Sequence, residues 1–152
     1  MTSERIEITI LRNLIFNEDY TRKVLPFLKE LYFSVRNEKI LFTEIELFVN
    51  KYKNLPTKEA LLIELNQRKH INEDEFKSVK ELMSTLTTED VDSQWLLDTT
   101  EKFCKDRAVH NAVLDGIKIL DNKDKKRTPE AIPTILADAL AVSFDNHIGH
   151  DY

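Results

Sequence analysis

Two glycines and four prolines in 152 residues leave little material for hairpin turns or phosphate-cradling loops. Gly116 and Gly149 are followed by Ile117 and His150, so neither belongs to a nucleotide-binding P-loop, which needs spaced glycines and then Lys-Ser or Lys-Thr. The single cysteine, Cys104, excludes an internal disulfide and reads as a small buried apolar residue. No apolar run approaches the length of a membrane span, and the start, MTSERIEITI, lacks the charged-then-apolar layout of a signal peptide. Basic excess is missing as well. The formal net charge of -5 argues against a surface built throughout to neutralise phosphates and leaves room only for a local basic patch. None of the four histidines stands three residues after a glutamate, the spacing of carboxylate metal sites in helical bundles. His147 and His150, flanked by Asp145 and Asp151, have chelating chemistry but read as a frayed tail with no ordered surroundings.

What is present is Leu, Ile, Glu and Lys at helical spacing, which predicts an all-α chain. A first helix carries Ile6, Ile10, Leu11, Leu14 and Ile15 and ends near Phe16. Asn17 opens a short second helix that Pro26 stops. The aromatic cluster Phe27, Tyr32 and Phe33 then plugs a chain reversal. Leu41, Ile45, Phe48, Val49 and Tyr52 form the stripe of a third helix, about 38 to 53. Thr57 caps a fourth, with Leu61, Leu62 and Leu65 inward. Asn72 with Glu75 forms the capping box of a fifth, bearing Phe76, Val79, Leu82, Met83 and Leu86. The acidic stretch 87 to 92 closes this compact helical head, residues 1–90.

The rest of the chain is organised around its longest helical pattern, Ser93 to Leu120, roughly 40 Å at 1.5 Å per residue and too long for a small head to cover. Its wide stripe, which includes Leu96, Leu97, Cys104, Ala108, Ala112 and Val113, calls for more than one neighbour. After a charged break at 121 to 127, a second arm begins near Glu130 to Ile132, since Pro133 would clash in a helix already one turn old. The two arms predict a long projecting antiparallel helical hairpin, residues 91–145, followed by the start of a linker at 146–152. On it, Phe103, Arg107, His110, Leu114, Ile117, Leu136, Ala139, Leu140 and Phe144 are the expected residues of an interface within the hairpin and against another copy. Asp106 and His110 are spaced for an ion pair. Lys123, Lys125, Lys126 and Arg127 make the tip basic, a solvated turn or a nucleic-acid contact. These patterns describe an interaction module better than an enzyme.

Trp95 to Ala112, the run Ala131-Ile132-Pro133 and the ending Ser143 to Tyr152 resemble the amino-terminal domain of T-even-type bacteriophage replicative DNA helicases, a likeness that covers nearly the whole chain. Ile10-Leu11 with Leu14-Ile15, then Tyr32-Phe33, Lys39 to Ile45, and Lys102 to Ala108 in that order are similar to the same domain of bacterial DnaB-type helicases. Arg12-Asn13 and the charged hairpin tip depart from the bacterial pattern. The resemblance implies a helical head and hairpin whose copies pair, from dimer to hexamer, into a collar on a helicase ring. It also implies docking of primase and a surface open to a helicase loader. DNA would be met only through the ring, with no membrane involved, in the cytoplasm of an infected bacterial host. ATP and Mg would belong to a following ATPase domain, so no cofactor is expected in this chain and it should not unwind DNA alone. The competing expectation is a small DNA-binding adaptor that uses the basic tip, with a stand-alone helical enzyme further behind.

Overall fold

The computed structural model describes residues 5–144. Within them the chain forms seven α-helices and no strand: α1 (Ile6–Phe16), α2 (Glu18–Val24), α3 (Arg36–Tyr52), α4 (Lys58–Asn66), α5 (Glu73–Thr85), α6 (Ser93–Leu120) and α7 (Ile132–Leu140). The fold is all-α. Two compact units divide inside α6: Met1–Leu97 and Asp98–Tyr152. The expected linker at 146–152, with His147 and His150, lies outside the described residues.

The first unit is built around α1. Residues Ile10 to Ile15 are all buried, so the helix is enclosed on every side and is more than the amphipathic segment its spacing suggests. Enclosure comes from α2 and α3, which both pack against it. Arg12 and Asn13 are buried with the apolar residues, and each has polar company. The Arg12 guanidinium reaches Glu89, 3.4 Å from Nη1 to Oε2, and Asn13 donates to the Thr9 carbonyl at 2.9 Å. Asn17 caps α2 by accepting from the Tyr20 N–H at 3.1 Å. Thr21 ties α2 back to α1: its hydroxyl donates to the Asn17 carbonyl at 2.9 Å, with those of Leu14 and Asn13 at 3.1 and 3.2 Å.

Helix α3 lies against α1, α4 and α5. Its buried residues are confined to 38 to 45, where Phe42 stacks on Phe33 with ring centroids 5.0 Å apart. Such rings supply much of the burial energy, about 1.5–3 kcal/mol for a fully buried large side chain. The expected stripe therefore fails in its second half: Leu41 and Ile45 are buried, but Phe48 and Val49 are half-buried and Tyr52 is exposed. Beyond Ile45 the helix leaves the core, and Phe48 and Tyr52 cover each other at 4.7 Å.

Two carboxylates go inward with their partners. Glu38 accepts two hydrogen bonds from Arg5, at 2.6 and 3.0 Å, and Glu44 accepts two from Arg68, at 2.9 and 3.1 Å. These hydrogen bonds, more than the accompanying attraction, hold both guanidinium pKa values up. Local capping sets the remaining helices. Thr57 Oγ1 accepts from the Ala60 N–H at 3.0 Å, and Asn72 and Glu75 exchange both bonds of a capping box at 2.8 and 3.1 Å. Arg36 also donates to Glu75 at 2.8 Å, and this bond, followed by that from the Asn72 N–H, pulls the Glu75 carboxyl below its usual range.

Candidate assembly surface

In the second unit, the end of α6 shows how the chain reverses with little glycine. Asn122 takes the left-handed conformation, φ 58°, in which a short polar side chain is tolerated. The Lys123 N–H then reaches the Lys118 carbonyl at 2.9 Å and the Asn122 N–H the Ile119 carbonyl at 3.1 Å, satisfying the last turn. Asp124 organises the tip. Its carboxylate accepts from the Lys126 N–H at 2.9 Å and from Arg127 Nε at 2.7 Å, and the Arg127 bond is the largest cause of its lowered pKa. Pro129 and Pro133 each fall in the first two positions of a helical segment, where a missing N–H costs nothing.

The return runs antiparallel to α6, as two contacts show. Ile132 Cγ2 sits 3.7 Å from where a Cβ on Gly116 would stand. Further along, Glu101 accepts from the Phe144 N–H at 2.8 Å and from the Ser143 hydroxyl at 3.1 Å. Ascending α7 thus means descending α6. The buried positions Ala112, Gly116 and Ile119 repeat at four and three residues and include the one that meets Ile132. Two residues out of phase, which is about 200° around the helix, come His110, Leu114 and Ile117. All three are exposed, with Leu114 at 44% and Ile117 at 49%.

The residues expected at an interface therefore fall into three groups. Phe103, Ala139 and Phe144 are buried. Arg107 and Leu136 are half-buried. His110, Leu114, Ile117 and Leu140 stand in solvent, joined by Val113 and Leu120, whose large apolar side chains belong to the same exposed stretch. Val113 was legible as a stripe residue and Leu120 as the helix end, but the exposure of both depends on where α7 lies. Arg107 adds a polar anomaly: its Nε is buried and meets no hydrogen-bond partner among the described residues. An unmet buried donor of this kind costs about 1–3 kcal/mol.

Asp106 does not pair with His110. Its carboxylate takes Lys102 instead, at 2.7 Å, because a flexible lysine one turn back reaches it more directly. At the tip, Lys123, Lys125 and Lys126 are exposed, while Arg127 is held by Asp124 and lies 3.9 Å from Asp115. Among the described residues, the four basic side chains there amount to three cations in no ion pair and one, Arg127, that is internally paired.

Cys104 is buried, and burial first, then the nearby Glu101 charge, pushes its thiol pKa up to about 12. At pH 8 almost none of it is thiolate, so the folded chain should react with a thiol reagent far more slowly than the denatured chain. Measuring the labelling rate with and without denaturant checks this, and equal rates would contradict the burial. Among the described residues, no group of three or more His, Cys, Asp or Glu could hold a metal ion, and no helix is long and apolar enough to cross a membrane.

The second unit thus packs one side of α6 internally and presents large apolar residues on the opposite side. In an alignment 151 positions long that covers 94% of the chain, it is 37% identical to the DnaB-like replicative helicase of Enterobacteria phage T4. The similarity to phage DnaB-like helicases thus extends along almost the whole chain, which spans about a third of that relative, 32%. No protein-family model matches the chain.

Proposed function

We propose that this chain is the non-catalytic amino-terminal domain of a phage replicative helicase, serving subunit assembly into a collar and the docking of primase in the cytoplasm of the infected host. The observation that carries the reading is the likeness to a replicative helicase over 94% of this chain and only 32% of the relative. ATP hydrolysis and strand separation then belong to the remainder of the helicase, with ATP and Mg bound there. A helicase loader is a further partner of the same collar. The exposed Leu114, Ile117 and Leu140 support assembly, since apolar surface of this kind gains about 25 cal/mol per Å² when covered, less the cost of association.

Light scattering over a wide concentration range tests the assembly reading, with dimers or higher oligomers expected as concentration rises. A monomer throughout would remove the hairpin as a driver of assembly. Addition of primase to the same samples tests docking, for which a mass increase is the expected result.

A further inference from the structure

The half of α3 that leaves the core borders an open groove in the first unit. Glu46, Val49, Asn50 and Lys53 line one wall at helical spacing, and Arg22 of α2 with Leu25 and Pro26 of the turn Leu25–Phe27 line the other. At about 380 Å³ the cavity lies in the range of ligand-binding clefts. Leu25, Pro26 and Val49 make its middle apolar. Its ends along α3 carry opposite charge. Glu46 is half-buried, with no ion pair or hydrogen bond among the described residues. Burial first, and then the nearby Glu30 carboxylate, push its pKa up, so no neighbouring cation offsets its charge. Arg22 is already held by Glu18. Lys53, exposed and in no ion pair among the described residues, stands two turns on, about 10 Å along the axis.

We propose that this groove docks an amphipathic helix of another protein, with a basic residue against Glu46, apolar residues against Leu25, Pro26 and Val49, and an acidic residue two turns away against Lys53. A helix laid in a groove presents its anchors three, four and seven residues apart, which is the spacing that α3 itself supplies along this wall. The incoming cation meets the carboxylate that the free chain leaves without one, so the charged pair forms where both partners gain from it. Nucleic acid fits poorly, because Glu30 and Glu46 repel phosphate. Apolar contact supplies the affinity, and the two terminal charges choose the direction in which the helix lies. The surface uses no residue of α6 and does not depend on the assembly reading.

The test uses the intact chain as bait and a randomised library of displayed helical peptides as the probe. Peptides enriched on the wild type should share a basic residue, apolar residues three and four positions on, and an acidic residue two turns away. Glu46→Gln should weaken their binding by about tenfold, and Glu46→Lys by more. The Glu46→Lys chain should in turn accept peptides whose basic residue is replaced by glutamate, because the exchanged charges meet again. Adding an enriched peptide should shift the amide NMR signals of Val49, Asn50 and Lys53. Glu46→Gln removes only a charge and carries the test if Glu46→Lys does not fold, which circular dichroism reads. No enrichment, enriched peptides without this pattern, or binding indifferent to the change at Glu46 would overturn the proposal. Each of those results leaves assembly standing, since light scattering reads it separately.

Discussion

Leu114→Asp should abolish self-association while leaving the head folded. Leu114 is 44% exposed in the single chain, and surface substitutions of this kind change stability by about 0.5 kcal/mol or less. Its effect on a pair is different in kind. Covering the 44% of Leu114 that is still exposed gains about 1 kcal/mol, and in a symmetric pair the loss is felt on both sides, so about 2 kcal/mol disappears before the cost of burying two carboxylates. That alone is roughly thirtyfold in the dissociation constant, and the desolvation of the carboxylates adds to it. Ile117→Asp should act in the same way. The check is sedimentation equilibrium beside circular dichroism: unchanged helicity and melting with loss of the oligomer is expected, while retained oligomers would place the contact on another face.

Arg68→Ala should destabilise the head by about 3 kcal/mol, at the lower end of what breaking a buried pair costs, because Arg68 itself is partly exposed. The reason lies with Glu44. Its side chain is 6% exposed, and removal of the guanidinium leaves that carboxylate inside with neither of its two charge-assisted hydrogen bonds. A combined Arg68→Met, Glu44→Leu change should cost much less, since no charge then remains to be solvated. Chemical denaturation of the wild type, Arg68→Ala, the single Arg68→Met and Glu44→Leu variants and their double decides the matter. Additive losses would mean that the two residues do not act as a pair.

Local chemistry made much of the fold legible in advance. The caps at Asn17, Thr57 and Asn72 with Glu75 all form, because each requires only a side chain and an N–H two or three residues away. Helix α6 keeps its expected limits, Ser93 to Leu120, for a similar reason: its stripe is long and its end coincides with a polar break. The Glu44 and Glu38 pairs were not legible. Their partners lie 24 and 33 residues away, and a glutamate within a helix pattern gives no sign that it points inward. Periodicity likewise showed that α6 has a wide stripe without dividing it. Which part faces α7 and which faces solvent depends on the tip geometry at Asn122 and Asp124, and therefore on a reversal that residue spacing along α6 does not encode.

The enclosure of α1 bears on how the chain reaches its fold during synthesis. The elements packed around it, α2 and α3, are complete once Tyr52 has been made. Contacts this short in sequence close with little loss of chain entropy and form early. The middle of the head can thus collapse on the emerging chain before α6 exists. The exposed apolar face of α6 is then made after that core is already occupied, with less unfolded surface available to trap it.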